Sequence, residues 1–328
     1  MHIPDNYLSP QTCGVLAAAM VPVWAISVKK VAKELPKEDV PKMGVGAAFS
    51  FLGMMFNIPI PGGTTGHAVG GTLISSVLGP YAACLSVSVA LLLQALIFGD
   101  GGILAFGANC FNMAFVLPFV GYFVFNLLKK AFAKFKNGDI AAASIGAYVG
   151  LNAAALAAAI EFGIQPLLFR DAAGNAMYCP YDLSVSIPAM MIGHLTIFGL
   201  AEIVYTGLVY GFIKQVSPKT ISGSTTSKTP KAVIALIVLL IILTPLGLLA
   251  EGTAWGEWGA DEIAATGVGY TPKGMLDGFS FDALIPDYSI SALPDWVAYI
   301  MSAIIGVGIA VIVFRILSSL KKTKTVEA

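Results

Sequence analysis

A chain of 328 residues that is 57% hydrophobic and only 12% charged does not have the composition of a soluble domain, in which about a quarter of the residues are charged. The formal net charge is zero, so no nucleic-acid partner is indicated, because such partners require a basic surface. Apolar runs of about 20 residues, long enough to cross a bilayer, recur along the chain, and the alternating pattern of a membrane β-barrel is not seen. The sequence therefore predicts an all-α polytopic membrane protein.

Nine helical spans are predicted, and the second and third of them are unusually short. They flank a Pro- and Gly-rich break from Pro59 to Gly66. Irregular backbone of this kind is tolerated at membrane depth only where it is buried in protein or lines a cavity, and broken spans point to a substrate site. The predicted spans are 12–28, 43–56, 66–79, 82–98, 109–128, 139–161, 186–213, 231–250 and 295–315.

The basic residues are distributed unevenly between the loops. Four segments hold 17 of the 19 Lys and Arg residues, and nine spans place all four segments on one side. Because Lys and Arg are enriched on the cytoplasmic side of membrane proteins, we expect the N-terminus outside and the C-terminus in the cytoplasm. The chain is then expected in the cytoplasmic membrane of a bacterium or archaeon. The four segments are 29–42, 129–136, 214–231 and 315–324.

A polar stretch at 216–230, rich in Ser, Thr and Pro, predicts a flexible cytoplasmic linker. It divides the chain into a seven-helix domain at 1–215 and a two-span segment at 231–328. The two spans of that segment enclose an outer loop, 251–294, which is strongly acidic and has Trp near its ends. Either this loop is simply exposed or it forms an outer cover that attracts cations, and the two interpretations are compatible.

Among the three histidines, His2 has an unusual position because it directly follows the initiator Met1. Residues 1–11 are polar and lack a basic start, so a cleavable signal peptide is not expected. Removal of the initiator methionine normally requires a small second residue, and His is large. We therefore expect Met1 to remain and, once its formyl group is removed, to offer a free α-amine beside an imidazole.

The chemistry of that N-terminus suits a transition metal. The Met1 amine, the backbone nitrogen of His2 and the His2 imidazole can form fused chelate rings on one ion, and a fourth nitrogen would complete a planar square. Tetragonal nitrogen sites favour Ni(II) and Cu(II), whereas carboxylate sites favour Mg(II), Ca(II) or Mn(II). Binding should weaken as the pH falls, because the ligands must be deprotonated. A histidine at position 2 is by itself weak evidence for such a site.

His67 strengthens the hypothesis because it follows the Gly-rich break at predicted membrane depth, where an ionisable residue is functional by default. The alternative is a histidine that hydrogen-bonds a neighbouring carbonyl. The third histidine, His194, lies eight residues before Glu202 in one span, which separates the two residues by about 12 Å along the helix axis. They cannot both bind one ion, and we expect them to be structural or coupling residues.

Several polar residues lie in and beside the turn after the fourth span. They could orient the metal ligands by hydrogen bonds. The alternatives are helix capping by Asp100 and Asn109 and hydrogen bonds between helices by Gln94 and Asn112. We favour capping as the role of Asp100, and hydrogen bonds between helices as the role of Gln94 and Asn112.

Several motifs together show a family resemblance. The N-terminal MHIPD resembles the MHIPDG start of the CbiM/NikM family, the substrate-capture components of energy-coupling factor (ECF) transporters for cobalt and nickel. Asn6 stands where the family usually has Gly, and Asn tolerates positive φ better than most residues. The resemblance covers about residues 1–215. Its further motifs are GHAVGGTL at 66–73, LGP at 78–80, QALIFGDGG at 94–102, GAN at 107–109, NMA at 112–114 and, more loosely, His194 with Gly199, Glu202 and Thr206.

The resemblance implies capture of Co(II) or Ni(II) by four nitrogens: the Met1 amine, the backbone nitrogen and imidazole of His2, and the imidazole of His67. It also implies that the first helix is an addition to a six-helix core. Segment 231–315 looks like the small two-span CbiN/NikN partner, fused to the main chain. No cofactor is expected. Planar nitrogen geometry favours Ni(II), but the family serves both metals, often for cobalamin synthesis.

Energy for transport is expected to come from other proteins. Residues 222–229 end in Lys-Thr but have Ser at both glycine positions of a phosphate-binding loop, so we expect a transport component and not an enzyme. The resemblance implies a CbiQ/NikQ-like transmembrane coupling subunit and CbiO/NikO-like ATPase subunits as partners, beside membrane lipid. Small residues at Gly44, Gly46, Ala48 and Ser50 could meet the coupling subunit or pack within the chain.

Two other functions are weaker alternatives. A self-sufficient secondary transporter or channel for divalent cations would need a path of carboxylates through the membrane, and only Glu202 qualifies by sequence. An intramembrane metalloenzyme would need an HExxH-like pair or another cluster with an open metal position. His2 and His67 come from distant segments, and neither has a carboxylate beside it that would act as a general base.

Overall fold

The computed structural model describes residues 1–60, 64–221, 229–250 and 252–320. It confirms an all-α polytopic membrane protein. In this part of the chain seven helices are long and apolar enough to cross a bilayer, and two further helices of at least eight residues are shorter. In chain order they are α1 (Pro10–Glu34), α2 (Val40–Met55), α3 (Gly71–Leu78), α4 (Pro80–Phe98), α5 (Phe106–Ala131), α6 (Gly138–Leu168), α7 (Leu183–Val216), α8 (Lys231–Leu249) and α9 (Asp295–Leu320).

The prediction of a third span at 66–79 is wrong in its first part. A small antiparallel hairpin precedes α3, in which β1 (Ile58–Ile60) pairs with β2 (Thr64–Gly66). The chain then stays non-helical up to Gly70, whose φ of +72° is a conformation that favours glycine. The eight residues of α3 are about 12 Å long, too short to cross a membrane. Residues 61–63 of the predicted break lie outside the described residues.

The orientation of the termini and the division into two domains stay predictions. Of the predicted linker, residues 222–228 lie outside the described part of the chain. Pro218–Ile221, just before them, form a single helical turn.

Local sequence determines where the long helices begin. Ser9 precedes α1 and accepts a hydrogen bond from the Thr12 N–H at 3.0 Å, as helix-capping serines do. Pro10 takes the first helical position, where no N–H donor is needed. Asp182 caps α7 in the same way, by accepting from the Ser184 N–H at 2.9 Å.

Three wide π-helical segments interrupt the long helices. They occupy Gln94–Phe98 in α4, Cys110–Val116 in α5 and His194–Phe198 in α7. Such insertions are rare and frequently occur at functional sites. Each contains one of the polar residues singled out from the sequence, and the α4 segment leads directly into the turn that carries Asp100.

The small residues of α2 pack within the chain. A Cβ atom at Gly44 would lie 3.0 Å from the backbone of α9, and one at Gly46 would lie 3.0 Å from the Ile74 side chain of α3. Tyr299 of α9 also donates a hydrogen bond to the Met55 carbonyl at 3.0 Å. Internal packing therefore explains these small residues, and it fixes the C-terminal helix against the N-terminal half.

Candidate metal centre

The N-terminal segment is inserted into the protein. Met1, His2, Ile3, Tyr7 and Leu8 are each at most 7% exposed. The α-amine of the chain therefore contacts protein groups, whereas the amine of an exposed N-terminus would contact water. This burial is what makes the amine available to a defined site.

Hydrogen bonds of Ile3 and Asp5 hold the N-terminal segment against residues 102–109. The Asn109 side chain accepts from the Ile3 N–H at 2.8 Å and donates to the Ile3 carbonyl at 3.1 Å. The Gly102 N–H donates to that same carbonyl at 2.8 Å, and Asp5 accepts from the Leu104 N–H at 2.7 Å. A side chain at Gly102 would overlap Asp5. Helix capping, one of the alternative roles of Asn109, is not what its side chain does: it holds the N-terminal segment in place.

The departure from the family motif at Asn6 is accommodated as expected. Its φ is +64°, which asparagine tolerates. Its side chain accepts from the Phe279 N–H at 2.9 Å and donates to the Phe279 carbonyl at 2.7 Å. Asn6 thus ties the N-terminal segment to the loop between α8 and α9, a contact that glycine could not make.

His67 is positioned by a carboxylate from a different helix. It follows β2, and Val69 and Gly70, two and three positions after it, direct their N–H groups at Glu202 of α7. The Glu202 oxygens accept these hydrogen bonds at 2.7 and 3.0 Å. Glu202 is fully buried, and its role agrees with the prediction of a structural or coupling residue.

The two histidines meet at the buried N-terminus. His2 Nδ1 lies 3.2 Å from His67 Nε2, and the ring centroids are 4.9 Å apart. The other nitrogen of His67, Nδ1, lies 3.2 Å from the Ala68 carbonyl. A carbonyl only accepts, so this contact places the proton of a neutral His67 on Nδ1 and leaves the Nε2 lone pair facing His2. The hydrogen bond to a neighbouring carbonyl, offered above as the alternative role, is thus compatible with metal binding.

Electrostatics keeps His67 neutral. Burial lowers the pKa of its imidazole well below the ordinary value, and the nearby N-terminal ammonium and His2 lower it further. Desolvation and a like charge both disfavour the imidazolium form. The His67 lone pair is therefore available to a metal at neutral pH.

Asp100 belongs to the site. Its Oδ1 lies 3.1 Å from His2 Nδ1, and its Oδ2 accepts hydrogen bonds from the Tyr288 hydroxyl at 2.5 Å and from Gln94 Nε2 at 3.2 Å. The prediction that Asp100 caps a helix is therefore wrong. Tyr288 comes from the loop between α8 and α9, and no local sequence pattern indicates this contact.

Glu257, from the same loop, touches the chain terminus directly. Its Oε1 accepts from the Met1 amine at 2.8 Å and from the His2 backbone N–H at 2.9 Å. The Met1 side chain is almost fully buried, and the Glu257 side chain is 21% exposed. In sequence, Glu257 is one of many acidic residues of the outer loop, and nothing near it distinguishes it.

A cavity of about 360 Å³ adjoins the two histidines. Carboxylates line it, and clefts lined by one sign of charge concentrate the opposite ion. Within the described residues, no group of three or more His, Cys, Asp or Glu side chains is arranged to hold a metal. The ionisable side chains of the lining are His2, His67, Asp100, Glu257, Asp287, and the phenols Tyr288 and Tyr299.

Two further predictions concern groups inside the membrane helices. His194 Nδ1 lies 2.8 Å from the Met190 carbonyl, consistent with a structural role. Glu161, near the end of α6, is a second buried carboxylate in addition to Glu202. Glu161 accepts a hydrogen bond from Asn112 at 2.8 Å, which confirms the predicted bonding of Asn112 between helices.

Two family models match the chain. The model described as the cobalt uptake substrate-specific transmembrane region, CbiM, matches residues 2–220. The PDGLE domain model matches residues 230–323. The first covers more than half of the chain and includes both His2 and His67.

Similar proteins are named as transporters. The chain is 51% identical over 322 residues to the probable fused nickel transport protein LarMN of Lactiplantibacillus plantarum, with 96% of this chain and 97% of that protein covered. It is 45% identical over 330 residues to the fused nickel transport protein NikMN of Rhodobacter capsulatus, with 95% of each covered. These names agree with the prediction of a transport component that is not an enzyme.

A solved structure described as a truncated transition metal transporter is also similar. It shares 57% identity and superposes with a TM-score of 0.62, covering 66% of this chain and 99% of that chain. With its multi-pass helical fold and its MHIPD segment, of which the first three residues are buried, the chain belongs to the CbiM family of cobalt uptake substrate-specific transmembrane regions, and a PDGLE domain follows in the same chain.

Proposed function

We propose that the chain captures Ni(II) or Co(II) at its N-terminus and acts as the substrate-binding component of an ATP-driven, ECF-type uptake system in the cytoplasmic membrane. The ligands are the Met1 amine, the backbone nitrogen and Nδ1 of His2, and Nε2 of His67. One observation carries the proposal: His2 and His67, 65 positions apart in sequence, meet at 3.2 Å beside a buried α-amine.

The spacing of these nitrogens suits a planar site. With an ion about 2 Å from each nitrogen, as in imidazole complexes, neighbouring ligands at right angles lie about 2.8 Å apart. The 3.2 Å between the two imidazole nitrogens needs to shorten by only a few tenths of an ångström. The Met1 amine and the His2 backbone nitrogen are joined by two carbon atoms, so they would form a five-membered chelate ring with the ion. Tetragonal nitrogen sites suit Ni(II), and affinity for Co(II) at such a site is lower.

The names of the relatives support the choice of metal. Two relatives that align over nearly their full length are named as fused nickel transport proteins, and the matching family is described by cobalt uptake. The sequence has no phosphate-binding loop. We therefore assign ATP hydrolysis to separate CbiO/NikO-like subunits, coupled through a CbiQ/NikQ-like membrane subunit.

His67→Ala is expected to weaken Ni(II) binding by more than about 100-fold, because loss of a ligand costs more than the roughly 10- to 100-fold that loss of a ligand's hydrogen-bond partner costs. His194→Ala, the same substitution at another buried histidine, should change the affinity less than about threefold. Calorimetry on the purified full chain measures both. Equal losses in the two variants would contradict His67 as a ligand.

A self-sufficient secondary transporter is the second candidate, because Glu161 and Glu202 are both buried carboxylates in membrane helices. Each, however, already accepts hydrogen bonds from neighbouring groups, Asn112 in one case and backbone N–H groups in the other. These contacts give both carboxylates a structural role.

Liposomes that contain the chain alone are expected to accumulate little Ni(II). Addition of the coupling and ATPase subunits with ATP should produce sustained accumulation, because this chain has no energy source of its own. Radioactive nickel uptake measures both states, and ADP in place of ATP is the control. Accumulation by the chain alone at the rate of the complete system would favour the secondary transporter.

A further inference from the structure

One carboxylate oxygen contacts two of the proposed ligand nitrogens at once. Glu257 Oε1 lies 2.8 Å from the Met1 amine and 2.9 Å from the His2 backbone nitrogen. Both nitrogens donate hydrogen bonds in these contacts. To bind a metal, each would instead have to direct a lone pair at the ion. Glu257 belongs to the loop between α8 and α9, 256 positions from Met1.

We propose that Glu257 is a latch: it holds the Met1 amine and the His2 N–H in the metal-free protein, and metal binding displaces it from both. Loading of the site is thereby transmitted to the loop between α8 and α9. This inference rests on the proposed function, since it requires these two nitrogens to be metal ligands.

The metal ion and Glu257 Oε1 cannot both lie beside the two nitrogens. A metal about 2 Å from both nitrogens would lie on the side toward which the two N–H groups point, where Glu257 Oε1 now stands. The metal would then be only about 1 Å from the present position of Oε1, against the 2.0–2.2 Å of a metal–carboxylate bond. The His2 amide must also lose the proton that it donates to Glu257, because a metal-bound amide nitrogen carries none. Glu257 therefore has to move when the site is filled.

The turn that carries Glu257 has two attachments to the N-terminal domain, and only one of them is lost when Glu257 moves. Glu257 lies in a turn, residues 254–259, which is also attached to the N-terminal domain through Trp255. The Trp255 N–H donates to the Thr64 hydroxyl at 2.8 Å, and Thr64 begins β2, the strand that leads to His67. Release of Glu257 removes the ionic attachment of the turn and leaves the Trp255 attachment in place. The turn is expected to loosen while the loop remains docked.

The competing interpretation makes Glu257 an additional metal ligand that shifts slightly and remains in the site. Both interpretations involve the same residue, but they predict opposite effects of its removal. A latch competes with the metal, so its removal tightens binding. A ligand adds to the affinity, so its removal weakens binding.

The test compares Glu257→Gln with Asp287→Asn in the purified full chain. Both substitutions remove one negative charge from the same cavity, and Asn fits the φ of +52° at position 287. Calorimetry with Ni(II) should give an affinity three- to tenfold tighter for Glu257→Gln than for Asp287→Asn. Amide hydrogen exchange of the 254–259 turn should rise at least tenfold when the unsubstituted chain is loaded with Ni(II). Glu257→Gln loses the charge but keeps one acceptor oxygen, so its exchange without the metal should lie between those of the metal-free and loaded unsubstituted chain.

Several results would overturn the latch. An affinity for Glu257→Gln at least tenfold weaker than for Asp287→Asn would make Glu257 a ligand. Unchanged or slower exchange of the turn on loading of the unsubstituted chain would show that the loop does not respond. The exchange experiment needs no variant, so it remains decisive if Glu257→Gln fails to fold. Absence of any heat with Ni(II) would overturn the proposed function as well, whereas heat without an exchange response would overturn the latch alone.

Discussion

Addition of a single Gly before Met1 is expected to weaken Ni(II) binding by about 1,000-fold or more while the chain stays folded. The extension converts the Met1 amine into an amide, which must lose a further proton before it can bind a metal. It also places a residue where Met1 is only 7% exposed. The contacts of Ile3 and Asp5 with the 102–109 region do not involve the amine, so the fold should persist. Calorimetry measures the affinity, and thermal unfolding in detergent measures the stability.

The matched control adds a single Gly after the last residue of the chain. It changes length and mass equally and leaves the N-terminus intact, so its affinity should equal that of the parent. Intact-mass measurement checks that the added residue is retained in each protein. Equal affinity in the N-terminally extended chain and its control would rule out the α-amine as a ligand.

Replacement of Glu202 by Ala is expected to have the second-largest effect. It leaves the N–H groups of Val69 and Gly70 without their buried acceptor, and each unpaired buried donor costs about 1–3 kcal/mol. The segment after His67 is then no longer held, and Ni(II) affinity should fall by about 100-fold, the upper range for loss of a group that orients a ligand. Glu202→Gln retains one acceptor oxygen and should lie between the parent and Glu202→Ala. Calorimetry and thermal unfolding provide the two readouts.

Glu161→Ala separates a local effect on His67 from a general loss of stability. Glu161 is also a buried carboxylate in a membrane helix, but its partner is Asn112. The substitution should lower thermal stability, and Ni(II) affinity should change less than about threefold. If both variants lost affinity in proportion to their loss of stability, the role of Glu202 in positioning His67 would be refuted.

The features that the sequence predicts well depend on local patterns. Long apolar runs revealed the seven helices of membrane length, and short motifs singled out His2 and His67, which the structure brings within hydrogen-bonding distance. The prediction failed at 66–70 because apolar and small residues there resemble a helix. The backbone of Gly70 has positive φ, and hydropathy contains no information on backbone angles.

Other parts of the site could not be predicted, because they depend on contacts between distant segments. Glu257 is 255 positions from His2, and Tyr288 is 188 positions from Asp100. Attraction of cations was one of two compatible interpretations of the acidic outer loop, but the seven acidic residues in 251–294 look alike in sequence. Only the folded chain distinguishes the carboxylate that reaches the N-terminus.

The buried N-terminus restricts how such a protein can acquire new parts. Because Met1 is enclosed and its amine already has a partner, a gene fusion or an affinity tag upstream of the first codon would disrupt the proposed site. An addition at the other end of the chain leaves the Met1 amine as it is. The PDGLE domain, matched at 230–323, lies toward that end. It contacts the first two residues through space, by way of its loop, and so joins the proposed site although it is encoded last.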